Sequence, residues 1–225
     1  MPTRRRLLPL ALFAFPLVAV TVLAGVWLTG GVISDDFRTS MALTAAWFVI
    51  AGGACVLAAR RWRALAIPVL ASFLVTAGAT GAYLAATTLR DRVVDEDVIT
   101  AVPAPTSNAR AARDVPVELA RGRFRSHEHD TAGTARVVRA PDGRRYLTLT
   151  HFSTSPGPDL RVRLVPAGSS DGGVDGAVDL GGLKGNRGDQ QYAIPSGVDA
   201  AGRTVVIWCR AFTAPFGSAT LRRVT

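Results

Sequence analysis

One cysteine in the second half of the chain has a side chain and a setting that could do redox chemistry. Cys209 follows the apolar run 204–208, and no other cysteine occurs beyond residue 55. In a strand its side chain would share a face with Val205 and Ile207, which is typical of a small buried core residue. A thiol becomes reactive where positive charge or a metal lowers its pKa. The neighbouring Arg210 points to the opposite strand face, so the pattern alone leaves a functional thiol and a packed thiol both open.

Two histidines add a second candidate chemistry. His127 and His129 stand at i and i+2, which places both imidazoles on one face if the segment is a strand. Together with Cys209 and His151 they offer the ligand types of a copper or zinc site. The second half contains no methionine, the usual axial ligand of a type-1 copper site. Two exposed histidines near a strand end are the commoner reason for such a pair.

The sequence leaves the identity of a cofactor open. It has no Cys-x-x-Cys-His segment, which excludes covalent attachment of a c-type haem. Non-covalent haem or a metal ion would need a pocket and ligands that a sequence does not display.

Several short motifs surround these candidate residues, and the order of the motifs along the chain is informative. The segment 157–164 reads Gly-Pro-Asp-Leu-Arg-Val-Arg-Leu and alternates like a half-buried strand, and 207–210 reads Ile-Trp-Cys-Arg. Around them stand Gly122-Arg-Phe124, His129, Gly133, Leu147-Thr-Leu149, Phe152, Leu183-Lys-Gly185, Gln191-Tyr192, Ile194-Pro195, Phe212 and Phe216-Gly217. Over roughly residues 118–225 this set resembles the DM13 domain, a small all-β extracytoplasmic module named for a role in electron transfer.

The resemblance implies a function and a residue to carry it. Cys209 matches the cysteine for which the DM13 family is noted, either as a bare thiol or as a ligand to a prosthetic group. This favours a redox or electron-transfer role, with a redox or envelope protein as partner, in a membrane-anchored bacterial member. Asp159 matches the family's Gly-Pro-Asp motif and is interpreted as the cap of the turn before its strand. The alternative is a cell-surface binding, adhesion or envelope assembly module in which Cys209 is buried and inert.

The first half of the chain predicts three membrane-spanning helices. Residues 7–33, 41–59 and 64–89 contain no charged side chain, and each run is long enough to cross a bilayer, which takes roughly 20 apolar residues. The first run is too long for a secretory signal and lacks a clear cleavage site. Because the spans hold no ionisable side chain of the kind that lines a transport path, we interpret them as an anchor in the lipid bilayer.

The arginines of this half predict its orientation. They precede the first run and fill the loop between the second and third, at positions 4, 5, 6, 60, 61 and 63. The loop between the first two runs carries Asp35 and Asp36 instead. The positive-inside rule then places the amino terminus in the cytoplasm and the carboxyl-terminal half outside the cytoplasmic membrane.

Composition divides the chain into an anchor at 1–89, a Pro-rich extracytoplasmic tether at 90–117 and an all-β domain at 118–225, a small sandwich or barrel. Predicted strands lie near 121–127, 134–139, 145–152, 159–165, 190–194, 204–210 and 219–223. Pro141-Asp-Gly143 predicts a hairpin turn, and the Gly-rich segment 168–182 a loop. We expect the domain to fold alone from near Asp114.

The net charge of +9 does not indicate a nucleic-acid partner. Six of the arginines are the topological signals named above. Across residues 118–225 there are 15 basic and 10 acidic side chains, dispersed along alternating strands. Solvated strand faces explain this pattern better than a nucleic-acid interface does.

Overall fold

The chain divides into two units, with the boundary between Ala86 and Thr87, and three long helices form the first unit. The computed structural model describes residues 4–34, 37–103 and 115–224. Helix α1 spans Arg4–Gly31, α2 spans Phe37–Arg61 and α3 spans Ala66–Thr88, after a 3-10 turn at Arg63–Leu65. Their most apolar stretches have mean hydropathies of 2.2, 2.0 and 1.8, and each helix is long and apolar enough to cross a membrane. The prediction of three long apolar helices is confirmed.

Small residues allow the helices to pack closely. A side chain at Gly25 of α1 would collide with the indole of Trp47 of α2. A Cβ at Gly52 of α2 would lie 3.0 Å from Cζ of Phe73 of α3. Thr29 and Thr44 add a hydrogen bond between α1 and α2, with their hydroxyl oxygens 3.0 Å apart. Glycine contacts and hydroxyl pairs of this kind are typical of helix packing in membranes.

Two β-sheets make up the second unit. Among the described residues its strands are β1 (Val102–Pro103), β2 (Val117–Arg123), β3 (Arg125–Ser126), β4 (Thr131–Arg139), β5 (Arg145–Thr154), β6 (Leu160–Val165), β7 (Val178–Gly182), β8 (Gln190–Ile194), β9 (Thr204–Cys209), β10 (Ala214–Thr220) and β11 (Arg222–Arg223). The first sheet has the order β1-β2-β4-β5-β8, with β11 paired to β2, and the second has the order β3-β10-β9-β6-β7. The sheets do not close into a barrel, so of the two predicted architectures the sandwich is the fold.

Apolar side chains from both sheets form the core. Leu149 of β5, Ile207 of β9 and Phe216 of β10 are all 0% exposed. Phe124 meets Phe152 edge to face, with ring centroids 5.2 Å apart. Burial of a large apolar side chain contributes about 1.5–3 kcal/mol, and this unit has no disulfide among its described residues, so the core must supply most of its stability.

The turn between β4 and β5 has the geometry that its sequence predicts. Gly143 has a φ of 84°, a conformation that glycine adopts without steric cost. Its N–H donates to the carbonyl of Ala140 at 2.9 Å, and the Arg144 N–H donates to Asp142 Oδ1 at 2.9 Å. The hairpin prediction at Pro141-Asp-Gly143 is therefore confirmed.

Strand β7 departs from the sequence prediction, which makes all of 168–182 a loop. Val178–Gly182 instead pairs antiparallel with β6 at the edge of the second sheet. Arg161 of β6 donates from Nε to Asp179 Oδ2 at 2.7 Å and ties the two strands together. An edge strand of this kind shows no apolar alternation, because charged and glycine residues are common at sheet edges.

Residues 91–99, here called the strap, run along the loop between β7 and β8. The Val94 N–H donates to the carbonyl of Arg187 at 2.9 Å, and the Glu96 N–H donates to the carbonyl of Asp189 at 2.8 Å. The sequence assigns these residues to the tether, yet their main chain is bonded to the β unit. The Pro-rich part of the tether, residues 104–114, and the expected start of the domain at Asp114 lie outside the described residues.

Lys184 holds the strap by charge. Its ammonium lies 2.7 and 2.9 Å from the two carboxylate oxygens of Glu96 and donates to the carbonyl of Gln191 at 2.8 Å. Burial raises the pKa of Glu96, but the Lys184 ammonium and the Gln191 N–H lower that pKa more, so the carboxylate stays charged. Beneath this pair the buried Gln190 Oε1 accepts hydrogen bonds from the Lys184 N–H at 3.2 Å and from the Tyr192 hydroxyl at 2.7 Å.

Candidate functional site

Strand β9 brings the two sequence motifs together. It lies inside the second sheet, and all six of its residues are buried. Cys209, its last residue, is paired with Leu160 of β6 on one side and with Ala214 of β10 on the other. The Gly-Pro-Asp segment that precedes β6 therefore meets the Ile-Trp-Cys-Arg segment at one end of the sheet, although about 50 residues separate them in sequence.

The sulfur of Cys209 is enclosed by protein and faces main-chain donors. The residue is 0% exposed. Burial raises the pKa of the Cys209 thiol to about 11, although hydrogen bonds from the main-chain N–H groups of Phe212, Asp159 and Ala211 act to lower it. The thiol therefore keeps its proton at neutral pH. Three N–H groups aimed at one sulfur would stabilise negative charge if it developed there, by oxidation or by coordination.

Asp159 and Arg210 close this end of the sheet. Arg210 donates from Nε to Asp159 Oδ2 at 2.6 Å, and its N–H donates to the Asp159 carbonyl at 2.9 Å. The interpretation of Asp159 as a turn cap misses this pair, because the partner lies 51 residues further along the chain. The Asp159 carboxylate also acts to raise the pKa of the Cys209 thiol. The ion pair thus fixes the loop whose N–H reaches the sulfur.

Gly157 allows the core to close next to Cys209. A Cβ at this position would lie 2.9 Å from Cδ2 of Leu160 and 3.0 Å from Cζ of Phe216. Leu160 is the β6 partner of Cys209, and Phe216 is fully buried. The glycine of the Gly-Pro-Asp motif therefore serves close packing at the site.

Trp208 lies on the opposite face of β9 from Cys209. It is 5% exposed and packs with Val165 and Val206, and Val174 of the loop before β7 covers this small cluster. A side chain at Gly172 would meet the indole, with Cγ of Trp208 2.5 Å from the added Cβ. The Gly-rich loop thus packs over Trp208, and Gly172 lets the main chain of the loop approach the indole ring.

The two candidate metal ligands make separate contacts. Residues 127–129 form a bend after β3, so they do not keep the strand period on which the same-face prediction depends. His127 is exposed, and its Nε2 lies 2.7 Å from Ser218 Oγ. The His129 ring packs on Phe216 with centroids 3.9 Å apart, and burial lowers its pKa although Asp130 acts to raise it.

His151 is also apart from Cys209. It is exposed, has a φ of 50°, and donates its N–H to Asp189 Oδ1 at 2.7 Å. Within the described residues, no group of three or more His, Cys, Asp or Glu side chains is arranged to hold a metal ion. The structure therefore does not gather the three histidines and Cys209 into one ligand set.

We expect Cys209 to resist alkylation in the native chain. A thiol with a pKa of about 11 is thiolate in about one molecule in a thousand at pH 8, and this sulfur is also shielded. In a Cys55→Ser chain, which leaves one cysteine to label, iodoacetamide should react much faster after denaturation than before. The native rate should also rise with pH as the thiol ionises. Rapid labelling of the native chain at pH 8 would show that the sulfur is accessible and that its pKa is not raised.

Comparison with known proteins assigns the segment that contains this site. Residues 123–221 match the family model described as Electron transfer DM13. The match begins at the last residue of β2, ends just after β10, and includes Cys209, Asp159 and Arg210, while the strap lies before it. Searches of curated proteins and of solved structures gave no match. The family's description suggests a redox role. Residues 123–221 are therefore a DM13 domain.

Proposed function

We propose that the chain is a membrane-tethered DM13 domain that transfers electrons outside the cytoplasmic membrane, with Cys209 at its redox centre. The observation that carries this proposal is the position of one fully buried sulfur where the Gly-Pro-Asp and Ile-Trp-Cys-Arg segments meet, with main-chain N–H groups of Phe212, Asp159 and Ala211 that act to lower the pKa of its thiol. Main-chain N–H groups beside a sulfur can stabilise a thiolate or a sulfur that coordinates a metal. Cys209 is the residue to which we assign the redox role that the family's description suggests.

The surroundings of the sulfur determine how it would work. Because the thiol holds its proton at neutral pH, oxidation or coordination at the sulfur must release that proton. The three N–H groups that act to lower the pKa of the thiol would stabilise the negative charge that then develops. Burial keeps out solvent thiols, which fits a centre that exchanges electrons with a redox or envelope protein rather than one that exchanges disulfides.

The anchor supports a location in the cytoplasmic membrane with the DM13 domain outside. Three apolar helices of spanning length precede the domain, and six arginines mark the amino terminus and the α2–α3 connection. By the positive-inside rule these segments stay in the cytoplasm, and an odd number of spans delivers the domain to the other side.

A reporter fused after Thr225 tests this topology. Alkaline phosphatase, which is active only outside the cytoplasm, should be active in the fusion. A fluorescent protein that folds only in the cytoplasm should stay dark at the same position. The reverse pattern would place the DM13 domain in the cytoplasm and remove the extracytoplasmic part of the proposal.

Absorbance and metal analysis of the purified full chain test the redox function. We expect a redox-active species in stoichiometric amount, whose spectrum changes between oxidising and reducing conditions. Its content should fall to background when Cys209 is replaced. A chain that shows no spectral change, metal or bound group under either condition would contradict the proposal.

A second candidate function is a cell-surface binding module with an inert cysteine. The complete burial of Cys209 and the raised pKa of its thiol favour it, because both are ordinary for a packed cysteine. The two functions differ in one result. In the binding module no redox-active group copurifies, and a Cys209 variant that folds keeps all of its activity in the cell.

A further inference from the structure

A basic groove lies where the chain passes from the first sheet to the second. Arg121 and Arg123 come from β2, Arg125 from β3 and Arg222 from β11, and the groove has a volume of about 550 Å³. Arg222 is paired with Arg121 across the two strands. The remaining lining consists of His127, glycines, and the hydroxyl side chains of serines and threonines, so no carboxylate lines it.

Among the described residues, three of the four arginines of the groove lack the ion pairs that several other arginines of this unit form. Arg161, Arg187 and Arg210 each form an ion pair with an aspartate. Within the described part of the chain, Arg123 and Arg222 have no ion-pair partner.

Arg125 likewise forms no ion pair with a described residue, whereas Arg121 is bound to Glu118 with Nε 2.5 Å from Oε1. The groove therefore presents three guanidinium groups whose charge nothing in the described structure neutralises. Uncompensated positive charge on the walls of a groove attracts and concentrates anions.

The spacing of these cations suits an extended anion. Residues at i and i+2 along a strand lie about 6.6 Å apart, which is the spacing of Arg121 and Arg123 on β2, and Arg125 follows on β3. Guanidinium groups bind phosphate oxygens through two parallel N–H donors. The hydroxyls of Ser218 and Thr220 stand beside these arginines and can donate to the same oxygens.

We propose that this groove binds a ligand with phosphate groups, through Arg123, Arg125 and Arg222. No tryptophan, tyrosine or phenylalanine lines the groove, so it has no platform on which bases could stack, and single-stranded nucleic acid does not fit it. A phosphate ligand of this kind has two sources, the headgroup of an anionic phospholipid or a free oligophosphate. The site is separate from Cys209, and the inference does not depend on the redox function.

Titration calorimetry of the full chain in a non-ionic detergent tests the groove with two probes. Sodium tripolyphosphate represents the free oligophosphate, and glycerophosphoglycerol represents the lipid headgroup. Arg123→Gln should weaken binding about tenfold, and Arg123→Gln with Arg222→Gln should weaken it further. Arg144→Gln is the control, because it removes one exposed positive charge from the 140–144 turn, outside the groove, where Arg144 is paired with Asp142.

The outcomes are decisive in each direction. Binding that depends on Arg123 and not on Arg144 supports the groove, and the probe that binds more tightly identifies the source of the phosphate. No binding of either probe at millimolar concentration overturns it, as does an equal loss with the Arg144→Gln control, which would mean unspecific charge attraction. Each variant is checked by thermal unfolding, and Arg222→Gln alone replaces Arg123→Gln if the latter does not fold.

Discussion

Replacing Cys209 with serine is expected to abolish the redox activity of the chain while leaving the DM13 domain folded. The serine oxygen can still accept hydrogen bonds from the three N–H groups, but it cannot replace sulfur as a soft ligand or as an oxidisable atom. A hydroxyl in this buried site should lower the free energy of unfolding by about 1–3 kcal/mol. Thermal unfolding and the content of redox-active species are measured on the same preparation.

Cys209→Ala and Cys55→Ser serve as the comparison variants. Alanine removes the acceptor altogether, so the three N–H groups lose their partner, and we expect alanine to destabilise the domain more than serine does. Cys55 lies in α2, and its replacement should change neither the redox content nor the stability of the DM13 domain. A Cys209→Ser chain that melts several degrees lower yet keeps full activity would make Cys209 a core residue.

Substitution of Gly188 by alanine is expected to release the strap. Gly188 has a φ of 97°, and a Cβ there would overlap the carbonyl oxygen of Val94. Strain at this backbone conformation and the loss of strap hydrogen bonds together should cost about 2–4 kcal/mol. Hydrogen exchange measured by mass spectrometry should show that the main-chain N–H groups of Val94 and Glu96 lose protection.

Gly197→Ala is the matched control for the strap. Gly197 has a φ of 84°, but nothing lies within 4 Å of the position that a Cβ would take. This variant pays the backbone strain alone, about 1–2 kcal/mol, and the strap should stay protected. Equal exchange in the strap of both variants would show that its contacts with Arg187 and Asp189 contribute nothing to stability. The same account predicts that residues 90–225 form a more stable fragment than residues 114–225.

The parts of the fold that local patterns determine could be predicted from the sequence. Uncharged runs identify α1, α2 and α3, and alternation in 160–164 identifies β6. The Asp-Gly pair at 142–143 identifies the hairpin, because glycine there removes the steric cost of a positive φ. Each of these features depends on neighbours in the sequence.

The features that the sequence did not predict depend on distant partners. Strand β7 forms because it pairs with the edge of β6. The strap binds because Lys184 forms an ion pair with Glu96 and because the glycines of the 184–191 loop let the strap main chain come close. The pair at 127–129 lies in a bend, so a period argument does not apply to it.

At the candidate site, Cys209 could be identified from its residue type and from the family pattern. Its environment could not be predicted, since the donors belong to Asp159 on one side and to Ala211 and Phe212 on the other. The Asp159 N–H reaches the sulfur only when β6 and β9 pair, whereas Ala211 and Phe212 belong to the turn that directly follows Cys209.

A redox titration of two chains side by side tests the role of Cys209 most directly. One chain carries Cys55→Ser and the other carries Cys55→Ser with Cys209→Ser, so that the two differ only at the proposed centre. We predict a reversible transition in the first chain. If the thiol itself is oxidised, it releases its proton together with the electron and the potential falls as the pH rises, whereas a thiolate that ligates a group in both redox states releases no proton. The second chain should show no transition while its β-sheet spectrum is unchanged. The same transition in both chains, or none in either, would contradict the assignment of the redox centre to Cys209.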